Sequence, residues 1–256
     1  MDLGLTGKRA LVLGASRGLG MAIAKSLAAE GATVFAAARS LDKITDWSAG
    51  LDNIRPLRLD LSNLEEVDTV IDVLLEEGGV DIIVNNGGGP PPGSAEAASR
   101  MDWISHFEAM AANLFHMTSR LLPQMKQRKF GRVISITSSG VEQPIPNLAL
   151  SNGIRSAVVG WSKTLASEVA GDGITVNVVM PGRIHTQRVD ELDAAAAKRT
   201  ETNIDTVAEK SRATIPAGRY GKPEEFADVV TFLASERASY VTGSRIRIDG
   251  GAIRSV

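Results

Sequence analysis

The sequence predicts an α/β fold of the doubly wound kind, with a seven-stranded parallel sheet covered by helices on both faces in one domain spanning 1–256. Three observations predict it. Seven short β-rich runs recur along the chain, the first six separated by segments of helical length and period, which is the rhythm of βαβ units. The runs are almost continuously apolar, as strands buried on both sides must be. The chain has 256 residues, 43% of them hydrophobic, enough for one large core and with no compositional break that would divide it.

In order, the strands are read at Arg9–Leu13, Thr33–Ala37, Ile54–Leu57, Val80–Val84, Arg132–Thr137, Ile174–Val179 and Arg245–Ile248. Leu19, Ile23 and Leu27 recur at helical spacing, and Gly31 follows where a left-handed residue would end that helix. Further helices are read near 62–77, 99–128, 148–170 and 223–234. Pro223 followed by Glu224 and Glu225 marks the last helix start, and the two acids are read as structural. Two segments break the rhythm: the loop Gly87–Gly93, and a polar, alanine-rich stretch at 185–215. Both follow the carboxyl end of a strand, the edge where open parallel sheets bind ligands, so both are candidates to cover a substrate. A plain surface excursion is the alternative for 185–215.

Charge and composition narrow the function. A formal net charge of −2 offers no broad attraction to nucleic acid or anionic lipid. The basic run Lys126, Arg128, Lys129 ends a helix and complements its dipole. No apolar stretch approaches the length needed to span a bilayer, and the first residues lack the order of a secretory signal, so a cytoplasmic location is expected. The chain has no cysteine and three scattered histidines, so neither a disulfide framework nor a metal site is expected.

Directly after the first strand runs Gly14-Ala15-Ser16-Arg17-Gly18-Leu19-Gly20, opening into a helix. Glycines here permit a tight turn and let backbone N–H groups approach a pyrophosphate at the helix N-terminus, the device of Rossmann-type dinucleotide-binding folds. The second strand ends in Ala38-Arg39-Ser40 rather than in the acid that bonds a ribose hydroxyl in NAD-preferring folds. A guanidinium in that place pairs with a 2′-phosphate, and Arg17 is within reach of the same group, so NADP(H) is the expected cofactor.

The GxxxGxG spacing resembles that of the short-chain dehydrogenase/reductases, with 3-oxoacyl-acyl-carrier-protein reductases the nearest general type. Other positions extend the likeness over almost the whole chain. Asp60-Leu61 resembles the pair that contacts adenine. Asn85-Asn86-Gly87-Gly88 is similar to the family's NNAG, and Pro181-Gly182-Arg183-Ile184-His185-Thr186 resembles the segment that touches the nicotinamide carboxamide. Thr242-Gly243 to Asp249-Gly250-Gly251 resembles its C-terminal signature.

The resemblance also implies an Asn-Ser-Tyr-Lys catalytic set, and most of it is missing. Anchored on Arg132–Ser138 and on Gly160–Ala166, Ser138 takes the serine position, Ser151 the tyrosine position and Arg155 the lysine position, while Trp103 and Leu121-Leu122-Pro123 put Met110 in the asparagine position. Asn113 lies three residues on and is not its equivalent. A tyrosine with a pKa of about 10 can be tuned towards neutrality, but an aliphatic hydroxyl starts far too high, so Ser151 is a poor general base. Arg155 keeps the positive charge and the ribose-binding capacity of a lysine without giving up a proton. Ser138, with Ser139, can still donate to a developing oxyanion.

His185 is one candidate replacement acid, with a solvated histidine as its alternative, and Arg183 could bind an acidic substrate or only its own loop. Tyr220 is expected in a turn and Tyr240 to pack, with His106 and His116 structural. Three readings stay open: an NADP(H)-dependent oxidoreductase with an atypical proton path acting on a small-molecule or acyl-thioester carbonyl or alcohol, a catalytically silent NADP-binding sensor or partner subunit, and non-redox lyase or isomerase chemistry. The resemblance implies a homo-oligomer, a dimer or homotetramer, paired through the helices at 99–128 and 148–170.

Overall fold

The computed structural model describes residues 1–255. Seven strands form one parallel sheet in the order β3-β2-β1-β4-β5-β6-β7. They are β1 (Arg9–Leu13), β2 (Thr33–Ala38), β3 (Ile54–Arg58), β4 (Ile82–Asn85), β5 (Gly131–Ile136), β6 (Ile174–Pro181) and β7 (Arg245–Ile248). The order reverses between β1 and β4, which pair in parallel through Ala10–Ile82 and Val12–Val84 and leave a crevice beyond their carboxyl ends.

Alternation along the strands feeds two cores. Ala10, Val12, Val34, Ala36, Ile82 and Val84 face a layer made by α1 (Gly18–Ala29), α2 (Leu41–Ser48) and α9 (Pro223–Ala234). Leu11, Leu13, Phe35, Ala37 and Ile83 face the opposite layer, made by α3 (Leu64–Glu76), α5 (Asn113–Arg128) and α6 (Ala149–Val169). Burying both faces of every central strand is what demands the unbroken apolar runs in the sequence.

Local chemistry sets the ends. Gly31 takes φ +85°, and its N–H and that of Ala32 satisfy the last carbonyls of α1 at Ala28 and Leu27. Glu225, in the first turn of α9, accepts from the N–H of Lys222 at 2.7 Å, so it is a capping residue.

Two expectations need correction, and two parts of the structure add to the sequence reading. The helix expected over 99–128 is broken: α4 (Arg100–Phe107) and α5 are joined by a π-helical turn over Glu108–Ala112 that contains Met110. The stretch 185–215 holds two helices, α7 (Gln187–Thr200) and α8 (Ile204–Ala213). The eight-residue α2 fills the segment between β2 and β3, for which the sequence implies a helical length but no helix bounds. Tyr240, expected to pack, is fully exposed in the 3-10 turn region before β7.

Candidate active site

The carboxyl edge of the sheet gathers the residues singled out from the sequence. Gly14 to Gly20 follow β1, Arg39 and Ser40 follow β2, Asp60 and Leu61 lie just past β3, Asn86 to Gly88 follow β4, Ser138 follows β5, and Pro181 to Thr186 close β6. Ser151 and Arg155 come from α6, one turn apart on one face. His106 lies in the last turn of α4, and His116 on α5 pairs with Asp68 at 2.7 Å.

The glycine turn and the β4 loop are fitted to each other. Asn86 Nδ2 donates to the carbonyl of Leu13 at 3.1 Å, across the switch point. Gly14 has φ +64°, and a side chain there would strike the carbonyl oxygen of Asn86, while one at Gly20 would strike that of Gly14. Gly88 has no neighbouring atom in the place of a side chain, and Gly87 only Leu61 at 3.8 Å, so this backbone is open to close approach. Trp47 Nε1 on α2 donates to the Ala15 carbonyl at 3.1 Å and braces the turn from outside, a role the sequence reading missed.

At the β2–β3 side, Asp60 Oδ1 accepts from the backbone N–H and the hydroxyl of Ser62 at 3.0 and 2.8 Å. These bonds, the backbone one first, hold its carboxyl below the usual carboxylate range, with the Arg39 and Arg58 charges adding to them. The neighbouring Leu61 carbonyl accepts from Asn113 Nδ2 at 2.8 Å. Asn113 is buried and committed to that loop, which distinguishes it from Met110.

A small cavity opens between β4, β5 and α6, lined by Asn85, Gly87, Gly88, Met110, Ile136 and Arg155. Arg155 enters it and donates from Nη1 to the Ile136 carbonyl at 2.8 Å. Burial pulls its guanidinium down to about 10, which still leaves it charged at neutral pH. Asn85 is buried, and among the described residues its Oδ1 has no hydrogen-bond partner. Ser138 Oγ accepts from Gly140 N at 3.1 Å, and a hydroxyl so engaged keeps its own proton for another acceptor.

Over this edge lies α7. Its buried Asp193 accepts from Arg183 Nη1 and from the Tyr220 hydroxyl, both at 2.7 Å. Burial, and then the bond to Asp193, raises the Tyr220 pKa, so its proton stays on the phenol. The Arg183 guanidinium is thus tied to α7 rather than to its own loop. His185 is exposed and lies 3.4 Å from Asp190. Arg17, in the glycine turn, pairs with Glu191 of α7 at 2.8 Å. Neither Glu191 nor Asp193 was singled out in the sequence. Among the described residues no His, Asp or Glu cluster is arranged to hold a metal ion, and no helix is long and apolar enough to cross a membrane.

A switch-point crevice floored by a GxxxGxG turn defines a dinucleotide-fold oxidoreductase, and the chain belongs to the short-chain reductase family whose profile, described as enoyl-(acyl carrier protein) reductase, matches residues 14–252. Among particular relatives, it is 36% identical over 253 residues to the 3-oxoacyl-[acyl-carrier-protein] reductase FabG of Vibrio cholerae serotype O1, covering 97% of this chain and 98% of that protein. It is 31% identical over 263 residues to the uncharacterized oxidoreductase YvrD of Bacillus subtilis, with both chains fully covered. The L-sorbose reductase of Gluconobacter frateurii, solved with NADPH and L-sorbose, superposes with a TM-score of 0.93 at 32% identity over the whole of both chains.

Proposed function

We propose that this protein is an NADP(H)-dependent oxidoreductase of a carbonyl or alcohol substrate that works without the usual tyrosine. The observation that carries the reading is the convergence, at the carboxyl edge of the sheet, of a sterically closed glycine turn and an open Gly87-Gly88 backbone, with Arg17 after β1 and Arg39 after β2. The relatives solved with NADPH support the choice of cofactor.

The residues fit that dinucleotide. Gly14, Ser16, Gly18, Leu19 and Gly20 offer backbone N–H groups to the pyrophosphate at the start of α1. Arg17, Arg39 and Ser40 take the 2′-phosphate; Asp60 and Leu61 the adenine; Asn86, Gly87 and Gly88 the adjoining ribose. Pro181, Gly182, Ile184 and Thr186 hold the carboxamide, and Arg155 the nicotinamide ribose. When bound, the cofactor supplies or takes up a hydride. Ser138 donates a hydrogen bond to the substrate oxygen and stabilises charge developing there. Ser151 shapes the pocket beside it, and solvent or the substrate provides the proton a tyrosine would give. The helices over 185–215 cover the substrate within a single domain, and the chain acts as a homo-oligomer.

A second reading is favoured by Arg155 itself: a permanently charged group tied to the Ile136 carbonyl cannot relay a proton, as expected of a binder without turnover. Calorimetry with NADPH and NADH, followed by stopped-flow mixing of NADPH-loaded protein with β-keto thioesters and diketones, tests both. Hydride loss establishes the reductase; saturable binding without it selects the silent binder; no binding overturns both.

A further inference from the structure

We infer that Glu191 is an internal competitor for the cofactor's 2′-phosphate, a carboxylate carried on the lid helix that occupies Arg17 until the phosphate displaces it. The inference rests on the assignment of Arg17 to that phosphate.

Arg17 precedes the first residue of α1, on the floor of the crevice, and Glu191 lies in the second turn of α7, 174 positions away in sequence. Their side chains meet at 2.8 Å between Nη1 and Oε1. A carboxylate and a phosphate present the same paired oxygens to a guanidinium, so one arginine fork serves either but not both in full. Both side chains are partly open to solvent, 46% for Arg17 and 40% for Glu191, so an incoming anion can reach the pair.

The rest of α7 explains why the carboxylate is held in place. Glu191 and Asp193 are two positions apart, about 200° around a helix, so they project on nearly opposite sides. Asp193 is fixed to Arg183 and Tyr220, while Glu191 reaches the glycine turn. Thr186, which caps α7, packs against Gly18 at 3.4 Å from where a side chain would begin. The helix therefore straddles the crevice, with a buried anchor on one bank and a solvent-accessible tie on the other. Arg188 also lies near Glu191, at 3.6 Å, and keeps a cation beside the carboxylate once Arg17 turns to the phosphate.

An exposed pair of this kind is weak, so the competition is modest: Glu191→Gln is expected to raise NADPH affinity roughly two- to fivefold. NADH, which has no 2′-phosphate, should bind unchanged, so Glu191 lowers discrimination between the two dinucleotides. Calorimetric titration of wild type, Glu191→Gln, Arg17→Gln and the double variant reads this as a cycle, and in the Arg17→Gln background the Glu191 effect should vanish. A thermal melt of each variant checks that it is folded. Equal NADPH affinities for folded wild type and Glu191→Gln, or a gain that persists without Arg17 or extends to NADH, would overturn the competition while leaving cofactor binding intact. Failure of the wild-type protein to bind NADPH at all would remove the cofactor assignment and the competition together.

Discussion

Arg155 on α6 donates to the backbone oxygen of Ile136, nineteen positions earlier at the end of β5, and so ties the helix that carries Ser151 to the strand that leads into Ser138. The guanidinium is a fixed post in the pocket wall rather than a mobile proton carrier.

Replacing the two altered positions on α6 should supply the proton donor that the pocket lacks. Ser151→Tyr with Arg155→Lys supplies a phenol and a neighbouring ammonium one helical turn apart, and a positioned acid contributes about 10²–10⁴ in rate. The expected outcome is a rise of that order in kcat for NADPH oxidation with a β-keto thioester. Arg155→Lys alone should give no such rise, because the lysine would have no phenol to tune.

Arg39 stands exposed at the end of β2, and its charge acts on Asp60 just past β3. A hydrogen bond to a charged group contributes about 1.5–3 kcal/mol, so Arg39→Ala should weaken NADPH binding roughly 10- to 100-fold and leave NADH nearly unchanged. Titration calorimetry with the two dinucleotides measures the ratio.

Asp193 is a buried acid whose loss would strand Arg183 and Tyr220. Asp193→Ala should loosen α7 locally by about 1–3 kcal/mol, seen as faster amide exchange over Gln187–Thr200 with a smaller fall in the global melting temperature. Asp193→Asn keeps an acceptor for Tyr220 and should have the milder effect.

Acid titration should expose Glu225. Arg219 grips it with two bonds at 2.7 and 2.8 Å, and with the Lys222 N–H this lowers its pKa from the usual 4.5 to about 2. A carboxyl lowered in the folded state stabilises fully above its unfolded pKa and loses that contribution as pH falls towards the folded value. The gap in melting temperature between wild type and Glu225→Gln should thus close between pH 4.5 and about 2. The pair is exposed, so concentrated salt should narrow the gap as well.

These tests also mark how far the sequence could be read. The strands were legible because burial on both faces leaves unbroken apolar runs, and the glycine turn because only glycine avoids the Asn86 and Gly14 carbonyls. The helix α7 was not, since its inward stripe is Val189, Asp193 and Ala197, with an acid where a pattern search expects an apolar residue. The short α2 buries only Ile44 and Ser48, too few to mark a period. Tyr240 was misjudged because aromatic bulk implies packing only where a neighbour exists to receive it. At the carboxyl edge, the glycines set by backbone sterics were legible, while Glu191 and Asp193 pair with residues that sequence distance hides.

The π turn at Glu108–Ala112 works as a phase shifter between two gears. A wider turn advances everything upstream by a fraction of a revolution, so α5 presses seven residues into the protein while α4 buries none. Trp103 is thereby swung onto Gly153, 2.9 Å from where a side chain would begin, on the helix that bears Ser151 and Arg155. Deleting one residue at this turn would restore an even pitch and rotate the indole off its seat, loosening the wall of the cavity from a residue outside its lining.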